Sequence, residues 1–284
     1  MRRVMSQQIS KRIWGTISTI LLVITAVFVL IPFVWMFVTS LQPDLKSVLQ
    51  IPPNWIPDPP TWRNYITAWT SAPFNIYLKN SIIVALSATT LQVINACLSG
   101  YVFSWIKFPG RDFIFLFFLA VLMVPGQVTV IPSYIVLSRL KWLDTYWALI
   151  IPLSATAFGT FLIRQAFLSI PQDLVDAAIV DGASHLQILK NIMIPLNKPM
   201  ILTFALLSFN WRWNNYFWVL IMTNSTVMRT LPVGLVGMRM GPEGASQWQI
   251  IMAATVLVII PIMLIFVLFQ RHFVEGVARS GLKG

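Results

Sequence analysis

Acidic side chains are scarce in this sequence: only nine of 284 residues are Asp or Glu, and none falls inside the long apolar runs. Carriers driven by proton or sodium gradients often place ionisable groups within their spans as relays or ion ligands, so this absence argues against that class. Cysteine occurs once, as Cys97 inside an apolar run, which excludes an internal disulfide and any cysteine metal cluster. The two histidines, His185 and His272, lie far apart, so no metal site is expected. No Gly-x-x-x-x-Gly-Lys-Ser/Thr segment is present, so the chain has no recognisable cradle for nucleotide phosphates, and no cofactor is expected.

Charged residues of both signs make up only 10% of the chain and hydrophobic residues 57%, against about 25% and roughly 45–50% in soluble domains. That composition belongs in a membrane. Runs free or nearly free of charge predict six transmembrane helices at about 13–41, 80–106, 113–138, 145–163, 199–222 and 248–270. All are close to or above the roughly 20 residues that a helix needs to cross hydrocarbon. A single membrane domain over 1–284 is expected, all-α and polytopic. The first run is uncharged from 13 to 43, far longer than the about 7–15 apolar residues of a signal peptide, so it reads as a retained span. With the N-terminus inside, twelve Lys and Arg fall on the cytosolic side and seven outside, Arg212 lying within a span. This bias predicts that both termini are cytosolic. The net charge of +11 suits anionic lipid headgroups and gives no reason to invoke nucleic acid.

The first outer loop, about 44–79, holds a proline-rich stretch at 51–60 and the aromatic residues Trp55, Trp62, Tyr65 and Trp69, suited to the headgroup zone or to a partner. The short turn from Lys107 to Asp112 predicts an antiparallel pair of helices. Prolines inside the runs, Pro32, Pro125, Pro152 and Pro261, are tolerable in lipid where neighbours satisfy the freed carbonyls.

Between the fourth and fifth runs lies a polar insert, 164–198, that carries three of the nine acids, Asp173, Asp176 and Asp181, within nine positions. Pro171 suits a helix start; Leu174, Ala177 and Ala178 fall on one helical face; Gly182 fits the position just past a helix end. Ser184 with Gln187 makes a possible capping box for a second short helix, which Pro195 is expected to stop. Two short helices therefore meet at Gly182-Ala183, a corner where small side chains admit a partner's backbone and Asp176 and Asp181 offer charge. The competing reading, an amphipathic helix lying on the inner leaflet, is disfavoured by the three acids.

The segment Asp176-Ala177-Ala178, three residues, Gly182, then Ile192-Met193-Ile194-Pro195 resembles the signature loop of permease subunits of bacterial ABC importers, Glu-Ala-Ala, three residues, Gly, then Ile-x-Leu-Pro. Asp176 replaces Glu and Ile194 replaces Leu. The tail Ser280-Gly281-Leu282-Lys283-Gly284 is similar to that of maltose-type carbohydrate permeases, as is the aromatic run from Asn210 to Trp218. The resemblance implies an ABC importer permease (MetI-like) fold in a bacterial inner membrane, with a cytosolic coupling-helix loop. It implies that Asp176, Ala177, Ala178, Asp181, Gly182, Ala183 and Ser184 dock into a cytosolic ABC ATPase dimer, and that Gly281, Leu282, Lys283 and Gly284 reach the ATPase interface. It also implies a second homologous permease subunit, and an extracytoplasmic solute-binding protein met by outer loops that include Gly241–Trp248.

Within the fifth run, Asn210, Trp211, Arg212, Trp213, Asn214 and Asn215 are candidates to border a pathway, since amides bond hydroxyls and aromatic faces stack on sugar rings. Arg212 alternatively snorkels to the interface or bonds within the bundle. The expected function is ATP-driven uptake of a di- or oligosaccharide, with no enzymatic site on this chain. A glycerol phosphate or similar polyol is the alternative; a passive channel or a membrane scaffold is the rival from another class.

Overall fold

The computed structural model describes the backbone of residues 2–241 and 247–281 and the side chains of 14–241 and 247–270. The described residues contain fifteen α-helices and no strand. In order they are α1 (Arg2–Ser40), α2 (Leu45–Leu49), α3 (Arg63–Thr70), α4 (Phe74–Trp105), α5 (Arg111–Ala120), α6 (Val130–Arg139), α7 (Tyr146–Ile150), α8 (Ala157–Leu168), α9 (Gln172–Val180), α10 (His185–Ile188), α11 (Ile194–Leu196), α12 (Lys198–Trp213), α13 (Phe217–Met222), α14 (Leu231–Met240) and α15 (Trp248–Gly281). Three stretches, Trp14–Ser40, Phe74–Trp105 and Trp248–Gln270, are long and apolar enough to cross a membrane unaided. Three bent helix pairs raise the number to as many as six.

The bends show what the apolar runs concealed. Run 113–138 is two arms, Arg111–Met123 and Gly126–Arg139, set at 93°. Val124 stands in the extended region (φ −86°, ψ 117°), where the ring of the following Pro125 forces it. Run 145–163 bends by 41° between Tyr146–Leu153 and Ala157–Leu168, just past Pro152. The carbonyls freed there are caught by α4, since Gln92 Nε2 donates to the Leu153 oxygen and Asn95 Nδ2 to that of Ser154 at 2.9 Å. An unpaired carbonyl in hydrocarbon costs several kcal/mol, so these two amides make the break tolerable. Pro32 and Pro261, by contrast, lie inside continuous helices.

The described chain divides into two compact units. One comprises residues up to Ala72 with Met238–Leu257. In it the proline-rich stretch 51–60 is non-helical, and the loop that carries it is tied to the end of α1. Asn64 Nδ2 donates to the carbonyls of Ser40 and Gln42 at 2.9 and 2.8 Å, the Tyr65 hydroxyl meets Ser40 Oγ at 2.6 Å, and Trp55 packs edge-on against Trp35.

The other unit comprises Pro73–Gly237 and the chain from Val258 onward. Its core is α4 packed on α8 and α12. Lipid tails are as apolar as leucine, so close packing and not water exclusion must hold such helices together. Glycines provide the approach: a Cβ on Gly100 of α4 would lie 3.0 Å from Ile163 Cγ2 and 3.1 Å from the Arg164 nitrogen, and one on Gly159 of α8 would overlap the Phe204 ring of α12. At the far end, Asn80 donates to the carbonyls of Val227 and Arg229, both at 2.8 Å, and accepts from Tyr146 at 2.6 Å. Asp144 joins two loops there by accepting from the Asn224 and Ser225 amides at 3.0 Å. Burial alone would push its carboxyl up, but the Ser225 and Asn224 hydrogen bonds outweigh it and hold the group below its ordinary range.

Candidate functional site

The polar insert folds as two short helices around a left-handed corner. α9 begins after Pro171 and ends in a paired closure: the Ala183 amide donates to the Ala178 carbonyl at 2.9 Å and the Gly182 amide to that of Ile179 at 3.0 Å. This closure needs a residue at positive φ just past the helix, and Gly182 sits at φ +78°. Ser184 then opens α10 with the expected capping box, its Oγ accepting from the Gln187 amide while the Gln187 side chain accepts from the Ser184 amide at 2.7 Å. The second helix does not stop at Pro195. It passes through a π-helical stretch, Leu189–Met193, and continues to Leu196, because a π turn just ahead of a proline relieves the hydrogen bond that its ring would break. The stop comes at Asn197, whose backbone and side-chain nitrogens both donate to the Met193 carbonyl. The chain then turns by 82° into α12.

The corner is anchored on one side and open on the other. Val175 is buried, and Ala178 and Ala183 pack against a cluster that includes Tyr101 of α4, Phe167 of α8 and Ile188 and Met193 of the insert. The inward face of α9 is thus Val175 with Ala178, whereas Leu174 and Ala177 face outward. His185, the first residue of α10, reaches α4 through its Nδ1, 2.9 Å from the buried Tyr101 hydroxyl, with the rings edge-on. Outward, a Cβ on Gly182 would meet no atom within 4 Å. Around that space stand Asp176, Asp181 and Ser184, all exposed, with Ile179, Val180 and Leu186. Val180 is 86% exposed and Leu186 68%, an unusual display of branched apolar side chains beside two carboxylates. Sequence reasoning missed those three apolar residues. Their signal was a surplus of Ile, Val and Leu in an otherwise polar insert, more than one buried face needs.

The second candidate set lies where the fifth run breaks. α12 ends at Trp213 and α13 starts at Phe217, so Asn214 and Asn215 occupy the gap. Asn214 Nδ2 donates to the Asn210 carbonyl at 2.9 Å and to its side chain at 2.8 Å, while Asn215 Oδ1 accepts from the Trp218 amide at 3.3 Å. Trp211 is about half exposed and touches Phe158. Trp213 departs from the expectation: it is 1% exposed, stacks on Phe209 and donates its indole N–H to the Val258 carbonyl, so its place is in the packing and it leaves the pathway set. Arg212 Nε is buried without a hydrogen-bond partner, and no carboxylate among the described residues pairs with it.

Of the tail, Gly281 is the last residue of α15; Leu282, Lys283 and Gly284 lie outside the described residues, as do 242–246 of the loop Gly241–Trp248. Among the described residues no group of three or more His, Cys, Asp or Glu could hold a metal.

Comparison with known proteins places this geometry in a setting. Residues 92–279 match the family described as binding-protein-dependent transport system inner membrane component. The chain is 33% identical over 267 residues to the sn-glycerol-3-phosphate transport system permease protein UgpE of Yersinia enterocolitica, covering 92% of this chain and 95% of that protein. The counterpart from Salmonella typhimurium is 34% identical over 269 residues, covering 93% and 95%. In structure, it superposes on a chain of a bacterial ABC transporter involved in import of the acidic polysaccharide alginate with a TM-score of 0.81 at 27% identity, covering 93% of this chain and 98% of that one. A chain of the alginate transporter in complex with a pentasaccharide-bound periplasmic protein shares the fold, with a TM-score of 0.61 at 16% identity.

Proposed function

The chain belongs to the family of binding-protein-dependent transport system inner membrane components, a transporter subunit and not an enzyme, and on that premise we propose how it works. It is the inner-membrane permease of an ABC importer for a sugar-type solute, acting with an ATPase and a solute-binding protein. The finer reading is that the corner at Asp176–Ser184 seats in a cleft of the cytosolic ATPase dimer, with Gly281–Gly284 at the same interface. A second homologous permease completes the pathway, and both termini face the cytosol. ATP then acts as the ligand that distinguishes two conformations, and the corner is where that difference enters this chain.

One observation carries the proposal. The corner is open above Gly182, yet from below it is fastened to α4 and α8 through Val175, Ala178 and the Tyr101–His185 contact. A surface that only bound a partner would need the opening alone. One that transmits force also needs the fastening.

For the solute, we propose a di- or oligosaccharide, hydrogen-bonded by amides at the break between α12 and α13, where interrupted helices expose backbone to a cavity without meeting lipid. A second reading, a glycerol phosphate or similar polyol, is favoured by the unpartnered Arg212 Nε and by the sn-glycerol-3-phosphate for which the permease relatives are named. The test is purification of the tagged chain in mild detergent, followed by assay of the co-purifying ATPase with binding protein and either oligosaccharides or glycerol phosphate. Recovery of an ATPase whose hydrolysis rises with one solute class supports the importer and chooses between the readings. Recovery of the chain alone, under conditions that preserve other importer complexes, overturns it.

A further inference from the structure

The turn between α4 and α5 forms a cavity of about 390 Å³ lined by Lys107, Phe108, Gly110, Arg111, Asp112 and Phe113. Its charge is lopsided. Lys107 and Arg111 line it, the neighbouring Arg164 of α8 stands beside it, and Asp112 is the one carboxylate among its lining residues. Arg111 Nε lies 3.1 Å from Asp112 Oδ1 and Arg164 Nη2 3.9 Å from the same atom. Arg164 is held from behind by the Phe103 carbonyl at 3.0 Å and by the Phe115 ring, 4.2 Å from its guanidinium carbon. Arg111 is braced by the Ser104 carbonyl at 3.4 Å. Lys107 is exposed and makes no ion pair among the described residues. The two arginines are thus pre-positioned at a shared carboxylate that cannot neutralise both, while Lys107 remains available.

The wall running away from this cavity along α5 is apolar and bare: Phe113, Leu116 and Phe117 are 74, 66 and 71% exposed. A basic recess at the point where two spanning helices meet water, continuous with an unshielded apolar face, matches a ligand with an anionic head and a hydrocarbon tail. We propose that this recess binds the phosphate headgroup of an anionic phospholipid, with an acyl chain lying along Phe113, Leu116 and Phe117. On the orientation proposed above, it faces the cytosolic leaflet, where basic pockets between spanning helices are known headgroup sites. The site concerns this chain's own surface and does not depend on the coupling corner. The charge complementarity and the apolar wall together favour lipid over a free anion, which would need the charge only, and over an acidic protein surface, which would leave the wall without purpose.

The test is native mass spectrometry of the full-length protein, purified with its bound partners and equilibrated with phosphatidylglycerol or phosphatidylcholine in mixed micelles. Preferential retention of phosphatidylglycerol is expected, unaffected by millimolar inorganic phosphate. At about 1 kcal/mol per basic residue near the membrane surface, that preference falls about fivefold in Lys107→Gln and about 25-fold in the Lys107→Gln/Arg111→Gln double variant. Lys107→Gln keeps the test open should the double variant fail to fold, because Lys107 is exposed. Equal retention of the two lipids by the wild type, or an unchanged preference in Lys107→Gln, overturns the site. Displacement of the lipid by millimolar phosphate overturns the lipid in favour of a free anion, and a preference that appears only after the partner subunits are stripped away assigns the recess to a protein contact.

Discussion

The chain of the second unit is interrupted at 181–184 and again at 214–216, and the two interruptions are closed by different chemistry. At the first, backbone and caps close the loop on themselves: Gly182 supplies the left-handed turn, and Ser184 and Gln187 the reciprocal cap. The space above is open, and the exposed carboxylates of Asp176 and Asp181 stand beside it. At the second, asparagine side chains stand in for the missing helical bonds, and one cation, Arg212, keeps a buried nitrogen without a partner. A self-satisfied corner is suited to dock another molecule without changing its own shape. A break with an unfilled hydrogen-bonding demand is suited to respond to what passes it.

This contrast can be broken experimentally, and the largest effect is expected at the corner. Gly182→Leu strains a position at φ +78° by roughly 1–2 kcal/mol and fills the open space, so ATP-driven uptake should fall at least about tenfold while the protein still inserts. Gly182→Asn tolerates the left-handed conformation but still places a side chain in that space, so its uptake should fall too, which separates docking from strain. Normal transport by Gly182→Leu would sink the docking role. At the second break, Arg212→Gln should lower kcat/KM for an anionic solute by about ten- to a hundredfold, in keeping with a lost charge-assisted hydrogen bond of roughly 1.5–3 kcal/mol, and change that for a neutral oligosaccharide little. Equal loss for both solutes would make Arg212 a packing residue. Tyr101→Phe removes one hydrogen bond to His185, about 1 kcal/mol, and its signature is a lower ratio of solute moved to ATP hydrolysed with a melting temperature lowered by only a few degrees. An unchanged ratio would remove the Tyr101–His185 contact from the coupling path. The smallest effects sharpen the comparison directly. Ser184→Ala deletes a helix cap and Asn215→Ala one hydrogen bond to the Trp218 amide, each about 0.5–1 kcal/mol, and only Asn215→Ala should alter solute affinity.

The corner was legible in the sequence because its parts obey local rules. A glycine past a helix end and a serine three residues before a glutamine announce their conformations whatever surrounds them, and both stand where expected. The bends in the apolar runs were not legible. Pro32 and Pro261 sit in continuous helices while Pro125 marks a 93° turn, and the residue type is the same in all three. At the break past Pro152 the difference is tertiary, because amides of α4 donate to the freed carbonyls. Gln92 and Asn95 are two amides in an apolar run, and only the fold brings them to their acceptors at Leu153 and Ser154. The outward turn of Val180 and Leu186 escaped for a related reason, since helical spacing gives a face but does not say which face the core will claim. Trp213 was chosen for its company, and only the packed structure shows its indole committed to Val258.

The amides of α4 that catch the broken fourth run also impose an order on biogenesis. Leu153 and Ser154 would enter hydrocarbon with bare carbonyls if they arrived alone, yet Gln92 and Asn95 lie about sixty residues earlier and are made first. During synthesis the acceptors therefore meet waiting donors. A circularly permuted chain that emerged with 145–163 ahead of α4 would have to insert that segment unpaired, and its integration should fail or stall until α4 follows.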